Sequence, residues 1–327
     1  MKQSSETGPV TGRRMLGFII ALLAIMAPPV AHGQWLAREA LSSFPADTQQ
    51  IAYVNLAQLR GLAEYPQIRN YLMNRQFRDF QDFLRAVGID SEKDINEVVL
   101  GWRGVGTDRP GMMGRAEGRF DTDKVRSQMV RLQMPIRQYQ GYELFTFGSG
   151  SDPTDMVFVF FSGSSAAFGR MRDLKELLEV RAASRPALDS NAAFVAWEAE
   201  LEGTAPQWGV SVGKAAALQA GPWLAAGGKD VPDVSQVFGP VDAVLYRMDW
   251  GGGVTTHLSI VCQSEKSASA LGDFLSLLRT ARGGGMPEGF LTILQGLEVQ
   301  VSGPRVELTT MAPLSAIDQL MRGGNAL

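Results

Sequence analysis

Four carboxylates, Asp121, Asp123, Glu143 and Asp155, are the side chains whose type and spacing best suit chemistry. Two of them side by side would serve as acid and base in glycoside hydrolysis, with one keeping its proton. The D-T-D spacing at a strand-to-helix corner has a plainer use. Asp121 suits a helix N-cap, Asp123 favours the positive end of the same helix, and Glu143 and Asp155 read as edge or loop residues. An acidic cluster would also suit calcium, but no D-x-D-x-D-G loop is present. On this reading no residue is assigned to catalysis, to a cofactor or to a metal, and the chain is expected to need no cofactor.

The remaining chemistry-bearing types are sparse. His32 and His257 are the only histidines and Cys262 the only cysteine, too few to ligate zinc and unable to form an internal disulfide. In GVTTHLSIVCQS, strict alternation places Val254, Thr256, Leu258, Ile260 and Cys262 on one apolar strand face, and Thr255, His257 and Ser259 on the polar one. Cys262 is therefore expected in the core. A Ser-His-Asp arrangement through His257 lacks the G-x-S-x-G elbow. The loop GWRGVGTDRPGM has its glycines in the order G-x-x-G-x-G with no helix start behind them, which is the grammar of a hairpin loop and not of a dinucleotide site. Trp102, Trp208, Trp223 and Trp250 could form a carbohydrate platform if exposed, but core or rim packing is the commoner use of tryptophan. Met112 and Met113 read as gap-fillers.

These residues sit in a chain built for export. Arg13 and Arg14 precede MLGFIIALLAIMA (residues 15–27), which has the length of a signal-peptide core, and Pro28 and Pro29 break any helix there. Ala31, His32 and Gly33 follow as small residues at a cleavage site, so a signal peptide is expected over residues 1–33, with cleavage before Gln34. An uncleaved anchor would require the apolar run to extend across the prolines to Val30. The arginine pair matches a twin-arginine signal only in the pair itself, which points to the general secretory route. No cysteine follows the run to take a lipid. The whole chain has 31 Lys+Arg against 34 Asp+Glu, and loss of residues 1–33 leaves 28 against 33. That mild acidity argues against nucleic acid as a partner.

The mature chain alternates short strands and helices. QQIAYVNL reads as a first strand, followed by a helical stretch from Leu56 to Val87 whose apolar residues Ile68, Leu72, Phe77, Phe80, Leu84 and Val87 share one face. Arg69, Arg75, Arg78 and Arg85 on its other side are interleaved with Asp79 and Asp82, as on a solvated face. Gly88 is placed as its C-terminal cap. INEVVLGW and GMMGRAEGRF are the next strands, then a helix from Asp121 to Leu132. IRQY and YELFTF form a hairpin turning on Gln140-Gly141. DMVFVFFSG, apolar on both faces, reads as a central strand, and DLKELLEVRAA as an exposed helix with Leu174, Leu177 and Leu178 inward.

After RPALDSN and the helix NAAFVAWEAEL the pattern restarts. WGVSVGKAAAL stands where IAYVNLAQL stood, and VDAVLYRMDW matches INEVVLGW. GVTTHLSIVCQSEKSASALGDFLSLL matches GMMGRAEGRFDTDKVRSQMVRL. LEVQVSGPRVELTTM answers YELFTFGSGSDPTDMVFVFF, and SAIDQLM answers DLKELLE. The expected fold is α+β in two related halves, residues 34–190 and 191–327, each a mainly antiparallel sheet with helices on one face.

The Tyr-Val-Asn-Leu strand end, GRFD-x-x-K-V, YQGYELF and the late strand before DLKELLE resemble exported bacterial proteins of unknown function. The resemblance implies a duplicated α+β fold, and it transfers no activity. The functional expectation is a periplasmic or secreted, non-enzymatic binding or assembly module of the cell envelope. Its partner would be an envelope protein, a lipid or a glycan, with membrane contact only through a retained signal segment. The alternatives are a carboxylate-dependent hydrolase of envelope polymers, which needs a cleft around two of the carboxylates, and a lipid carrier, which needs an enclosed apolar cavity of several hundred Å³.

Overall fold

The computed structural model describes residues 33–316 except 73–74, 109, 202, 204, 225–238 and 281–287. Residues 1–32, where the signal segment is expected, and most of SAIDQLM lie outside them. The strands are β1 (Gln50–Asn55), β2 (Ile95–Arg103), β3 (Gly111–Gly118), β4 (Ile136–Tyr139), β5 (Tyr142–Phe147), β6 (Met156–Phe160), β7 (Ser165–Arg170), β8 (Gln207–Val212), β9 (Val241–Trp250), β10 (Val254–Cys262), β11 (Glu298–Ser302) and β12 (Arg305–Ala312). They form a single sheet of twelve strands in the order β11-β12-β10-β9-β8-β1-β2-β3-β7-β6-β5-β4. All neighbours are antiparallel. The α+β class expected from the alternating elements is thus what the chain adopts, as one continuous sheet.

The sheet is joined in its middle by β1 and β8. Tyr53 stands directly opposite Trp208 there, and the two rings stack with centroids 5.3 Å apart. Outward from this joint the order runs β1-β2-β3-β7-β6-β5-β4 on one side and β8-β9-β10-β12-β11 on the other. At the far end Gln140 and Gly141, with φ of 49° and 81°, make the two-residue turn between β4 and β5. Both residues are left-handed, as a turn matched to the strand twist demands.

Helices cover both faces. On one, α1 (Gly33–Ser43), α7 (Met171–Arg181) and α8 (Ala192–Leu201) pack over Ile51, Val99, Met113, Leu144, Val157, Trp208, Val210 and Leu245. This cluster runs without a break across residues 190 and 191. On the other face α4 (Arg75–Ala86) and α6 (Thr122–Arg131) cover Phe145 and Phe158. Further along that face, α9 (Gly213–Leu224), α10 (Glu265–Thr280) and α11 (Glu288–Gln295) cover Val244, Leu258, Ile260, Val306 and Leu308. The expectation of helices on one face per half is corrected here. In β5 and β6 consecutive residues, Leu144 with Phe145 and Val157 with Phe158, are all buried. Side chains alternate across a strand, so both surfaces must be covered.

The stretch expected as one helix from Leu56 to Val87 is three: α2 (Leu56–Arg60), α3 (Tyr65–Leu72) and α4. Gly61 caps α2, and Pro66 lies in the first turn of α3, where its missing N–H has no helical partner to lose. Gly88, with φ of 95°, follows α4 as expected. A one-turn helix, α5 (Ser91–Asp94), then leads into β2.

Candidate functional site

An apolar concavity lies between α4, α5 and the face of β2, β3, β6 and β7. Its floor is made by two small residues that stand directly opposite each other, Ala116 of β3 and Ala166 of β7. Phe168 fills the space above Gly114, where even a methyl group would approach its ring to 2.4 Å. Phenylalanines form the walls. Phe80 and Phe168 stack at 6.0 Å, and Phe120 lies 5.3 Å from Phe160.

Phe80, Phe83, Leu84 and Val87 recur at helical spacing, so α4 presents a continuous apolar face to this region. The result is a pocket of about 140 Å³. Among the described lining residues Gln81 and Ser91 alone carry polar side-chain atoms, and they bond to each other, Gln81 Nε2 donating to Ser91 Oγ at 2.8 Å.

A polar cluster ties the covering helices together at the rim. Glu92 of α5 accepts from Tyr65 Oη at 2.7 Å, Arg69 Nε at 2.8 Å and Gln81 Nε2 at 3.2 Å. Burial, and then the bond to Glu92, push the Tyr65 phenol up, so it remains a donor throughout the physiological range. Side chains of α3 and α4 thus meet on one carboxylate of α5. The described lining suits a site that excludes water and surrounds an apolar group.

The carboxylates singled out by type are divided among three places. Asp121 caps α6, accepting from Lys124 N at 3.0 Å, as its position at the corner implies. Asp155 organises its own loop by accepting from Ser149 Oγ at 3.0 Å and Gly150 N at 2.8 Å. Asp123 and Glu143 do share a polar pocket, of about 340 Å³, with Arg126, Tyr142 and Phe161. Glu143 is already engaged there, ion-paired with Arg126 and accepting from Gln138 Nε2 at 3.2 Å.

The other candidates fall as follows. Cys262 is buried, and burial followed by the nearby Asp242 charge push its thiol up, away from the reactive thiolate. His257 Nδ1 lies 3.1 Å from Thr309 Oγ1. Among the described residues no group of three or more His, Cys, Asp or Glu is arranged to hold a metal ion. Trp208 and Trp250 are buried and offer no sugar platform, while the Trp223 side chain lies outside the described residues. Arg69 and Arg85 pair with Glu92 and Asp82, as on a solvated face; the side chains of Arg75 and Arg78 lie outside the described residues.

The pocket itself is the feature that sequence reasoning missed. Its signal is the pair of alanines Ala116 and Ala166, which strips bulk from two strands next to a phenylalanine-rich helix and strand.

No protein-family description and no curated protein matches the chain. Among solved structures it is similar to TP0453, a Treponema envelope-associated protein, with a TM-score of 0.52 and 10% identity over 87% of this chain and 97% of that one. At that identity the likeness concerns the fold alone. Among the described residues no helix is long and apolar enough to cross a membrane.

Proposed function

We propose that the protein is an exported, non-enzymatic binding module of the cell envelope, and that its ligand presents an apolar group to the pocket under α4. The observation that carries this reading is the lining: of sixteen described residues fourteen are apolar, and the two polar ones are hydrogen-bonded to each other. An apolar cavity of about 150 Å³ stays dry and takes up benzene, and the pocket of about 140 Å³ is of that order. It falls short of the several hundred Å³ that a carrier of whole lipids requires. The ligand is therefore narrowed to an aromatic ring or the end of an alkyl chain, with each buried methylene contributing about 0.8 kcal/mol.

Export rests on the N-terminal segment. The hydrolase reading is less well supported, because Glu143 is held by Arg126 and Gln138. The order of strands outward from the β1–β8 joint supports a duplication, since β1, β2 and β3 correspond in place to β8, β9 and β10. The helices that follow β3 and β10, α6 and α10, also lie on the same face of the sheet.

Titration of the purified protein with a polarity-sensitive apolar fluorophore, displaced by alkyl carboxylates of increasing length, tests the reading. Saturable binding is expected, with affinity rising with chain length and then levelling off. Ala116→Leu and Ala166→Leu, which fill the floor from two strands, are each expected to weaken it at least tenfold, although overpacking costs the fold about 1–3 kcal/mol. Absence of saturable binding, or full binding in both folded variants, would refute it.

A further inference from the structure

We infer a second binding site, for a small oxyanion such as a carboxylate or phosphate group, on the face of β9, β10 and β12 opposite α10 and α11. There a pocket of about 160 Å³ is bounded by Arg247, His257, Ser259, Arg305 and Glu307, with Glu200 at the end of α8 as a wall. Its floor follows from the register. His257 stands directly across from Arg247, and Ser259, two residues on, points to the same side of β10.

Three groups able to donate thereby line one recess, His257 through Nε2 when Nδ1 accepts from Thr309 Oγ1, and their present partners leave capacity. Arg247 forms no ion pair among the described residues, in contrast to Arg305 beside it. Arg305 binds both oxygens of Glu200, at 2.6 and 3.1 Å, and has Glu307 at 3.8 Å. The hydroxyl of Ser259 is shut from solvent and has no hydrogen-bond partner. His257 has only its Nδ1 engaged, by Thr309. An unpartnered buried hydroxyl costs about 1–3 kcal/mol, and a guanidinium in a recess gains most from a planar oxyanion that it can grip with two N–H groups.

An oxyanion on Arg247 that accepts from Ser259 Oγ and from the free ring nitrogen of His257 would satisfy all three at once. Because the hydroxyl is roofed over, a flexible neighbouring side chain must turn aside as the anion enters. A cation is disfavoured here, since Arg305 already occupies Glu200 and lies next to Glu307. This site and the apolar pocket are on opposite faces of the sheet and in different parts of its strand order, so each stands without the other.

The test uses the scarcity of histidine. A His32→Gln change leaves His257 as the one imidazole, so its ring C–H resonances can be followed without overlap while phosphate or acetate is added against chloride at constant ionic strength. A saturable shift with either oxyanion and none with chloride is expected. A response to phosphate alone would assign a phosphoryl source, and one to acetate alone a carboxylate source. Arg247→Gln is expected to weaken binding about tenfold or more, as befits loss of a hydrogen bond to a charged group. Ser259→Ala is expected to weaken it to a smaller degree in a chain that otherwise keeps its spectrum. No saturable shift with either anion, or a shift unchanged in Arg247→Gln, would overturn the inference.

Discussion

Replacing Glu39 with alanine is expected to destabilise the protein by about 3–5 kcal/mol, because it strands a charge inside the core. The charge is Arg115 of β3, whose side chain is 0% exposed. It ion-pairs with Glu39 of α1 and donates to Ser165 Oγ at 2.9 Å and Ser43 Oγ at 3.3 Å, with its guanidinium 4.7 Å from the centre of the Phe161 ring. Burial pushes the guanidinium down, to about 10, with Glu39 opposing, so it stays charged at neutral pH. Removing both partners together, as Glu39→Leu with Arg115→Met, is expected to cost less than Glu39→Ala alone. The pair costs desolvation that apolar replacements avoid. Urea unfolding of Glu39→Leu, Arg115→Met and the double would close the cycle. A single-variant cost below about 1 kcal/mol would mean that Arg115 finds water or another partner when Glu39 is gone.

Trp208→Ala should lose a comparable amount, about 3–5 kcal/mol, as large-to-small changes at buried aromatic positions do. Trp208 is 1% exposed and stacks on Tyr53 across the β1–β8 joint. The same residue belongs to the cluster that α1, α7 and α8 share, so the loss is felt by both runs of strands. Chemical unfolding monitored by far-ultraviolet circular dichroism would give the cost. A conservative Tyr53→Phe change, which keeps the ring stack, should have a far smaller effect. Equal effects of the two would show that the stacked rings are not what holds the joint.

The strands were legible because alternation survives in most of them. GVTTHLSIVC separates its apolar and polar faces cleanly, which placed Cys262 inside and His257 and Ser259 on the other side. Asp121 was legible as a cap because an aspartate at a strand-to-helix corner has a local reason to be there. Arg115 was not. In G-R-A-E-G the charged residues look like the solvent side, and only the arrival of α1, some 76 positions earlier in the chain, turns that side into core. The break of the Leu56-to-Val87 stretch was hidden for a related reason. Helical spacing can be sustained across short interruptions, and neither Gly61 nor Pro66 decides alone whether a helix bends or restarts. The pocket depends on which strands become neighbours. Small residues of β3 and β7 leave a hollow only because the chain runs from β3 out to the edge strand β4 and returns through β5 and β6, which brings β7 beside β3.

The most direct test of the apolar-ligand account is a crystal structure of the protein with a saturating alkyl ligand that ends in bromine. The account predicts one strong anomalous peak among Phe80, Phe120, Phe160 and Phe168, with α4 still above it. Bromine bound only at the outer surface, or an empty pocket at saturating ligand, would contradict it.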